Sequence, residues 1–292
     1  MKVGFFGDGK WSHNALLDII ANSKYTVAFV VPRFKNPDLT LIDIAKNNSI
    51  PYHTVKDIND IAFIEKIKEY DCQVLVSMSF NQIFKRTIIN QFQIINCHAG
   101  KLPNYRGRNI LNWALINDEK EFGITVHYVD EGIDTGDIIV QETYPITEED
   151  DYNTLLTKSF EECPKLLMKG LELIRTKEVT PIKQNEISKY GSYCGIRREG
   201  DEIINWHQSS KEIYNFIRAL VFPGPYARTV LNGKRFTIKK SLYHKEFPKY
   251  KGIPGQILIK ENNTLTVKTL DSYIVILDYE YEGFIKVGQK FS

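Results

Sequence analysis

The chain has 292 residues, enough to bury one large core or two modest ones. Hydrophobic residues make up 42% and charged residues 25%, a balance that excludes an intrinsically disordered chain and fits a folded globular one. Lys and Arg number 38 against 36 Asp and Glu, so a net charge of +2 argues against a nucleic-acid partner recognised through a strongly basic surface. No run approaches the eighteen or so apolar residues of a membrane span, and Met1-Lys2-Val3 leads directly into a strand with no secretory leader expected. Cys72, Cys97, Cys163 and Cys194 lie far apart without a Cys-x-x-Cys pair, which points to reduced thiols and a cytoplasmic location.

In chain order, Val3 to Phe6 reads as a short buried strand. Gly7 to His13 turns into a helix over Ala15 to Ala21, with Ser12 or His13 and Asn14 as candidate caps. The turn resembles half of a dinucleotide fingerprint, but Ser12 stands at the third glycine position. The next strand, Thr26 to Val31, ends without an acidic residue for a ribose, so NAD is not expected. A helix over Leu39 to Asn47, an extended piece at Ile50 to Thr54, a helix over Asp57 to Tyr70 and a strand over Val74 to Met78 follow. The corner Ser79-Phe80-Asn81-Gln82-Ile83-Phe84 leads into a helix reaching about Asn90. This alternation predicts an α/β, Rossmann-like, mostly parallel sheet with helices on both faces. Residues 108–117 read as a helix, and Asp151 to Thr176 as a long amphipathic one with Leu155, Phe160, Leu166, Leu167, Leu171 and Ile174 along a stripe. Pro181, Gly191, Gly195 and Gly200 interrupt a polar stretch, 181–203, that reads as a linker between a domain at 1–180 and a second at 204–292. In the latter, Ser209 or Ser210 caps a helix over Lys211 to Leu220. Five short strands follow, Ala227 to Leu231, Arg235 to Leu242, Gly255 to Ile259, Thr264 to Leu270 and Tyr273 to Tyr279. Turn signals at Asn232-Gly233 and Asn262-Asn263 predict a small β, OB-like module.

The chemistry concentrates in residues 94–142. A strand ends in Asn96-Cys97-His98, and alternation sends Asn96 and His98 to one face. The chain turns through Gly100, Pro103 and Gly107, and a second strand, Gly123 to Val129, ends in the acidic loop Asp130-Glu-Gly132-Ile133-Asp134-Thr-Gly136-Asp137. Polar groups at strand ends of one sheet can converge in a crevice. An imidazole to take an amine proton, a carboxylate to orient it and an amide for an oxyanion are a kit for acyl transfer. His127, Asp130, Asp134 and Asp137 lack the ligand pattern of a calcium loop and supply one His for zinc, so no metal is expected.

Asn96-x-His98 with Leu102-Pro103-x-Tyr105-Arg106-Gly107, then Gly123-Ile-Thr-Val-His127 and Ile133-Asp134-Thr-Gly136-Asp137, resembles the N10-formyltetrahydrofolate-dependent formyltransferase family. The 36 residues from His98 to Asp134 suit that family and select Asp134 over Asp130 and Asp137. The resemblance extends loosely to Asn205-Trp206 and Phe222-Pro-Gly-Pro225 of the second domain. It implies Asn96, His98 and Asp134 as catalytic residues and N10-formyltetrahydrofolate as formyl donor, contacted by Phe80, Gln82, Ile83, Asp130 and Gly132. It departs at Ala99-Gly100-Lys101, where many members carry a Ser. Arg106-Gly107-Arg108-Asn109 with Asn112-Trp113 looks closest to the bacterial sugar-nucleotide branch. The resemblance therefore implies the amine of a nucleotide-linked amino sugar as acceptor, in surface polysaccharide or O-antigen synthesis. Lys10, Trp11, Ser79, Arg106 and Tyr226 are the expected substrate contacts, in a homodimer. The alternatives are methionyl-tRNA formylation, which salt-sensitive tRNA binding would favour, and a non-catalytic folate or nucleotide sensor.

Overall fold

The computed structural model describes residues 1–292. In order the elements are β1 (Lys2–Gly7), α1 (Gly9–Ala21), β2 (Thr26–Pro32), α2 (Leu39–Asn47), α3 (Ile61–Lys68), β3 (Val74–Met78), α4 (Arg86–Ile89) and β4 (Ile94–His98). There follow β5 (Arg106–Gly107), α5 (Ile110–Ile116), β6 (Glu121–Tyr128), β7 (Ile138–Pro145), α6 (Tyr152–Thr176), α7 (Gln184–Ile187) and β8 (Tyr193–Cys194). The last stretch holds α8 (Ser210–Arg218), β9 (Ala227–Leu231), β10 (Lys234–Leu242), β11 (Ile257–Glu261), β12 (Thr264–Lys268) and β13 (Tyr273–Glu280). Two compact units result: one is Met1–Gly107, Phe122–Tyr144 and Thr157–Cys194, the other Arg108–Glu121, Pro145–Leu156 and Gly195–Ser292.

The first unit is built on a six-stranded sheet of order β2-β1-β3-β4-β6-β7. β2, β1, β3 and β4 run parallel, and β6 joins β4 antiparallel. β1 and β3 are buried almost throughout, as strands covered on both faces must be. The order reverses beside β1, the kind of switch point where α/β sheets open a crevice beyond the strand ends. Helix α1 starts earlier than its sequence pattern suggests, at Gly9, so Ser12 is a buried helix residue and no cap. Its hydroxyl donates to the Met78 carbonyl (2.6 Å) and accepts the Asp8 N–H (2.7 Å), tying the first turn to β3. Helix α3 is shorter than 57–70 because the Asp60 carboxylate caps it, accepting the Phe63 N–H. Strand β7 has no counterpart in the sequence reading, and the stretch read as a linker holds α7 and β8.

The second unit carries an antiparallel sheet of order β11-β12-β13-β10-β9. Its strand bounds fall within two residues of those read from alternation. Residues near the C-terminus bond to both edges: Ile257 N–H to Gln289 O (2.8 Å) beside β11, and Ser292 N–H to Val230 O (3.0 Å) in β9. This closes the sheet into a small barrel around Phe236, Trp206 and Phe291, whose rings pack at 4.8–5.2 Å. Helix α8 covers it with Ile213 and Ile217, started by a capping box of Ser209 and Glu212. No helix of the protein is long and apolar enough to cross a membrane.

Candidate active site

The β4–β6 ladder sets Asn96 opposite His127 and His98 opposite Thr125, so all four side chains share a face. His98 is buried, with Nε2 2.7 Å from the Tyr105 carbonyl oxygen. A carbonyl only accepts, so Nε2 carries the hydrogen and the Nδ1 lone pair of the neutral ring faces Asp134 Oδ2 at 3.7 Å. His127 Nδ1 lies 2.7 Å from the Tyr128 carbonyl, which by the same reasoning leaves Nε2 to accept from the Asn96 amide at 3.2 Å. One N–H of Asn96 is thereby spent on orientation and the other stays available.

Asp134 closes the cluster. Its Oδ1 lies 3.6 Å from His127 Nε2, and its Oδ2 accepts the Gly107 N–H at 2.8 Å. Burial pushes its carboxyl up, but His98, His127 and the Gly107 N–H together outweigh burial and hold it well below the usual carboxylate range. Burial pulls the His98 imidazole below its ordinary value, and Asp134 opposes that pull. The result at neutral pH is an ionised carboxylate beside a neutral base, the protonation states that amine deprotonation requires.

The turn between the strands is held where backbones approach closely. A Cβ on Gly100 would stand 2.6 Å from His98 Cδ2 and 2.7 Å from the Tyr105 carbonyl, and Gly107, at φ +100, has the Cys194 carbonyl where a Cβ would go. Thr125 Oγ1 donates to Gly100 O (2.7 Å), and the Gln141 amide donates to Leu102 O (2.9 Å).

The segments expected to meet the formyl donor adjoin one another through an ion pair between Arg86 and Glu131. Ile83 and Ile133 are 63% and 53% exposed there, apolar side chains left open in a way that suits a flat heteroaromatic ring. Phe80 is half-buried, its ring edge-on to Phe6 at 5.5 Å. Gln82 faces inward, its amide donating to Val55 O and accepting from Ile58 N–H (both 3.1 Å). Asp130 braces its own loop, accepting from Thr135 Oγ1 (2.5 Å) and Gly132 N–H (3.1 Å). Ser79 is exposed at φ +56. Lys10 lies 5.1 Å above the Phe160 ring, and Trp11 Nε1 donates to Ser159 Oγ (3.1 Å). Tyr226 belongs to the second unit, where Lys239 lies over its ring at 5.7 Å. Arg106 donates Nε and Nη2 to Gln184 Oε1 (3.1 and 2.6 Å) and Nη1 to the Tyr193 hydroxyl (3.1 Å). No group of three or more His, Cys, Asp or Glu side chains is arranged to hold a metal ion. Sequence reasoning assigned no role in the reaction to His127 or Gln184; the strand pairing of Asn96 was a usable signal for the first, and nothing local marks the second.

A family model described as formyl transferase matches residues 1–171, and one described as the formyl transferase C-terminal domain matches 197–288. A methionyl-tRNA formyltransferase of Streptococcus agalactiae is 31% identical over 97% of this chain and 91% of its own length. One of Pelotomaculum thermopropionicum is 34% identical over 80% of this chain and 74% of its own. Among solved structures, WlaRD, a sugar 3N-formyltransferase determined with dTDP and 5-N-formyl-THF, superposes with a TM-score of 0.71 at 25% identity, covering 97% of this chain and 98% of that one. The N-formyltransferase of Helicobacter canadensis, complexed with folinic acid and dTDP-3-aminofucose, gives 0.71 at 25%, covering 96% and 100%. The near-full-length relatives overturn the sugar-amine acceptor read from Arg106 to Trp113. Those residues carried little information about the acceptor, because their polar groups are spent internally: Arg106 on Gln184 and Tyr193, Asn112 on Ala219 O (2.7 Å), Trp113 on Gly195 O (3.2 Å).

Proposed function

Because the chain belongs to the formyl transferase family and is a formyltransferase, we propose that it moves the formyl group of N10-formyltetrahydrofolate onto the amine of methionyl-tRNA. The observation that carries the acceptor is the 31% identity to a methionyl-tRNA formyltransferase over nearly the whole of both chains. Charge distribution supports it. Residues 195–292 hold sixteen Lys and Arg against ten Asp and Glu, while residues 1–194 hold twenty-two against twenty-six. The near-neutral total thus conceals a basic C-terminal segment suited to a polyanion.

The folate, a substrate, supplies the formyl carbonyl and the leaving nitrogen. Phe80, Ile83, Ile133 and the loop braced by Asp130 offer it an apolar seat. His98 Nδ1 takes the proton of the attacking amine, its Nε2–H fixed on the Tyr105 carbonyl. The imidazolium so formed lies against the Asp134 carboxylate, which favours its charge. The N–H of Asn96 not committed to His127 donates to the carbonyl oxygen as negative charge gathers there, and on collapse the carbon–N10 bond breaks as the imidazolium returns its proton to N10, releasing tetrahydrofolate and the formylated amine.

The test is tetrahydrofolate release with methionyl-tRNA and, in parallel, a panel of nucleotide-linked amino sugars, for wild type and His98→Ala. Turnover on methionyl-tRNA, lost in His98→Ala, is the expected result. Turnover confined to an amino sugar overturns the acceptor, and donor binding without turnover on any amine overturns the enzyme assignment.

A further inference from the structure

Residues 172–196 fall between the two matched family regions, yet part of this stretch is laced onto the active site from both ends. Ile182 and Ile138 exchange backbone hydrogen bonds of 2.8 and 2.9 Å at the start of β7. At the other end β8 runs parallel to β5, the Ser192 carbonyl accepting the Arg106 N–H and its hydroxyl the Tyr105 N–H, both at 3.0 Å. Between these anchors Gln184 is 4% exposed. Its amide nitrogen donates to the carbonyls of Asp134 (2.9 Å) and Gly136 (2.8 Å), while its amide oxygen takes two N–H groups of Arg106. Both hydrogens and both lone pairs of one buried amide are therefore used, and all are used on residues flanking the acid. Asp134 sits at φ +54, a left-handed backbone that a side-chain-bearing residue keeps where its neighbours hold it.

We infer that Gln184 is a positioning residue, pinning the Asp134–Gly136 backbone to Arg106 so that the Asp134 carboxylate stays against His98. The inference rests on the proposed role of His98 as the base. The groups facing the His98 ring are Asp134 from the loop, His127 from β6 and the Tyr105 carbonyl. Asp134 is the carboxylate among them and favours the protonated ring, so a loop that drifts away leaves His98 holding its proton less tightly.

Gln184→Met keeps length and burial without a donor or a charge, and Gln184→Glu keeps the acceptor for Arg106 but has no N–H for the two carbonyls. The His98 ring is titrated by NMR of its Cε1–H, identified by its absence in His98→Ala, and kcat and KM are measured alongside. In Gln184→Met, His98 should titrate at lower pH than in wild type, with kcat down roughly 10²-fold and donor KM unchanged; Gln184→Glu should lose kcat similarly. Wild-type titration and kcat in Gln184→Met overturn the inference. If that variant fails to fold, kcat of Gln184→Glu decides, and failure of both to fold assigns Gln184 to stability alone. The titration needs no acceptor, so a shifted His98 without turnover on methionyl-tRNA keeps the positioning role while rejecting the acceptor.

Discussion

Asn96 gives one N–H to His127 Nε2 and, in the proposed mechanism, the other to the reacting carbonyl. Removing it strips a donor aimed at developing charge, so Asn96→Ala should lower kcat roughly 10²- to 10³-fold while donor binding changes little. Steady-state kinetics with a donor-binding titration measure both, and a kcat near wild type would remove Asn96 from the reaction. That Asn96, His98 and Asp134 come together was legible because strand alternation puts the first two on one face and the family resemblance, through its 36-residue interval, singles out Asp134. Gln184 was not: it stands 50 residues beyond Asp134, in a polar run whose periodicity says nothing, and its importance exists only through hydrogen bonds to carbonyls that no sequence displays. Arg106 misled for a related reason. With Arg108, Asn109, Asn112 and Trp113 it resembled the sugar-nucleotide branch and so pointed to a sugar acceptor, whereas its guanidinium is engaged by Gln184 and Tyr193.

Among the elements, the strands of the C-terminal sheet were readable almost to the residue, since a small barrel with one wet face enforces period-two alternation and its turns carry Asn-Gly signals. Strand β7 escaped because its second half is polar and partly exposed, leaving no apolar period to detect. The start of α1 escaped because a buried Ser bonded to a neighbouring strand imitates a cap in the sequence. Helix α8 shows the opposite, a start signal that is real. The Ser209 hydroxyl accepts the Glu212 N–H (3.3 Å), and the Glu212 carboxylate accepts the Ser209 N–H (2.8 Å). Ser209→Ala removes one half of that exchange and should destabilise the protein by about 1 kcal/mol. Urea unfolding checks this, and an unchanged midpoint would show the cap to be idle.

For the whole molecule, a net charge of +2 suggested indifference to polyanions, yet the charge is divided unevenly along the chain. A polyanion held by the basic C-terminal segment releases counterions on binding. Raising salt from about 50 to about 200 mM should therefore weaken KM for methionyl-tRNA by at least about tenfold and leave KM for the donor nearly constant. Equal insensitivity of both would mean that this segment grips no tRNA.

The chain passes between its two units five times, because Arg108–Glu121 and Pro145–Leu156 belong with Gly195–Ser292. That interleaving has a consequence in time. Helix α5, with Ile110, Leu111, Ala114 and Leu115 buried, packs against α8, which lies about a hundred residues later in the chain. At roughly 5 to 20 residues per second of synthesis, the apolar face of α5 waits on the order of 5 to 20 seconds for its cover. A nascent chain of this protein thus spends that interval with an unfinished second unit, during which a chaperone has its best opportunity to bind.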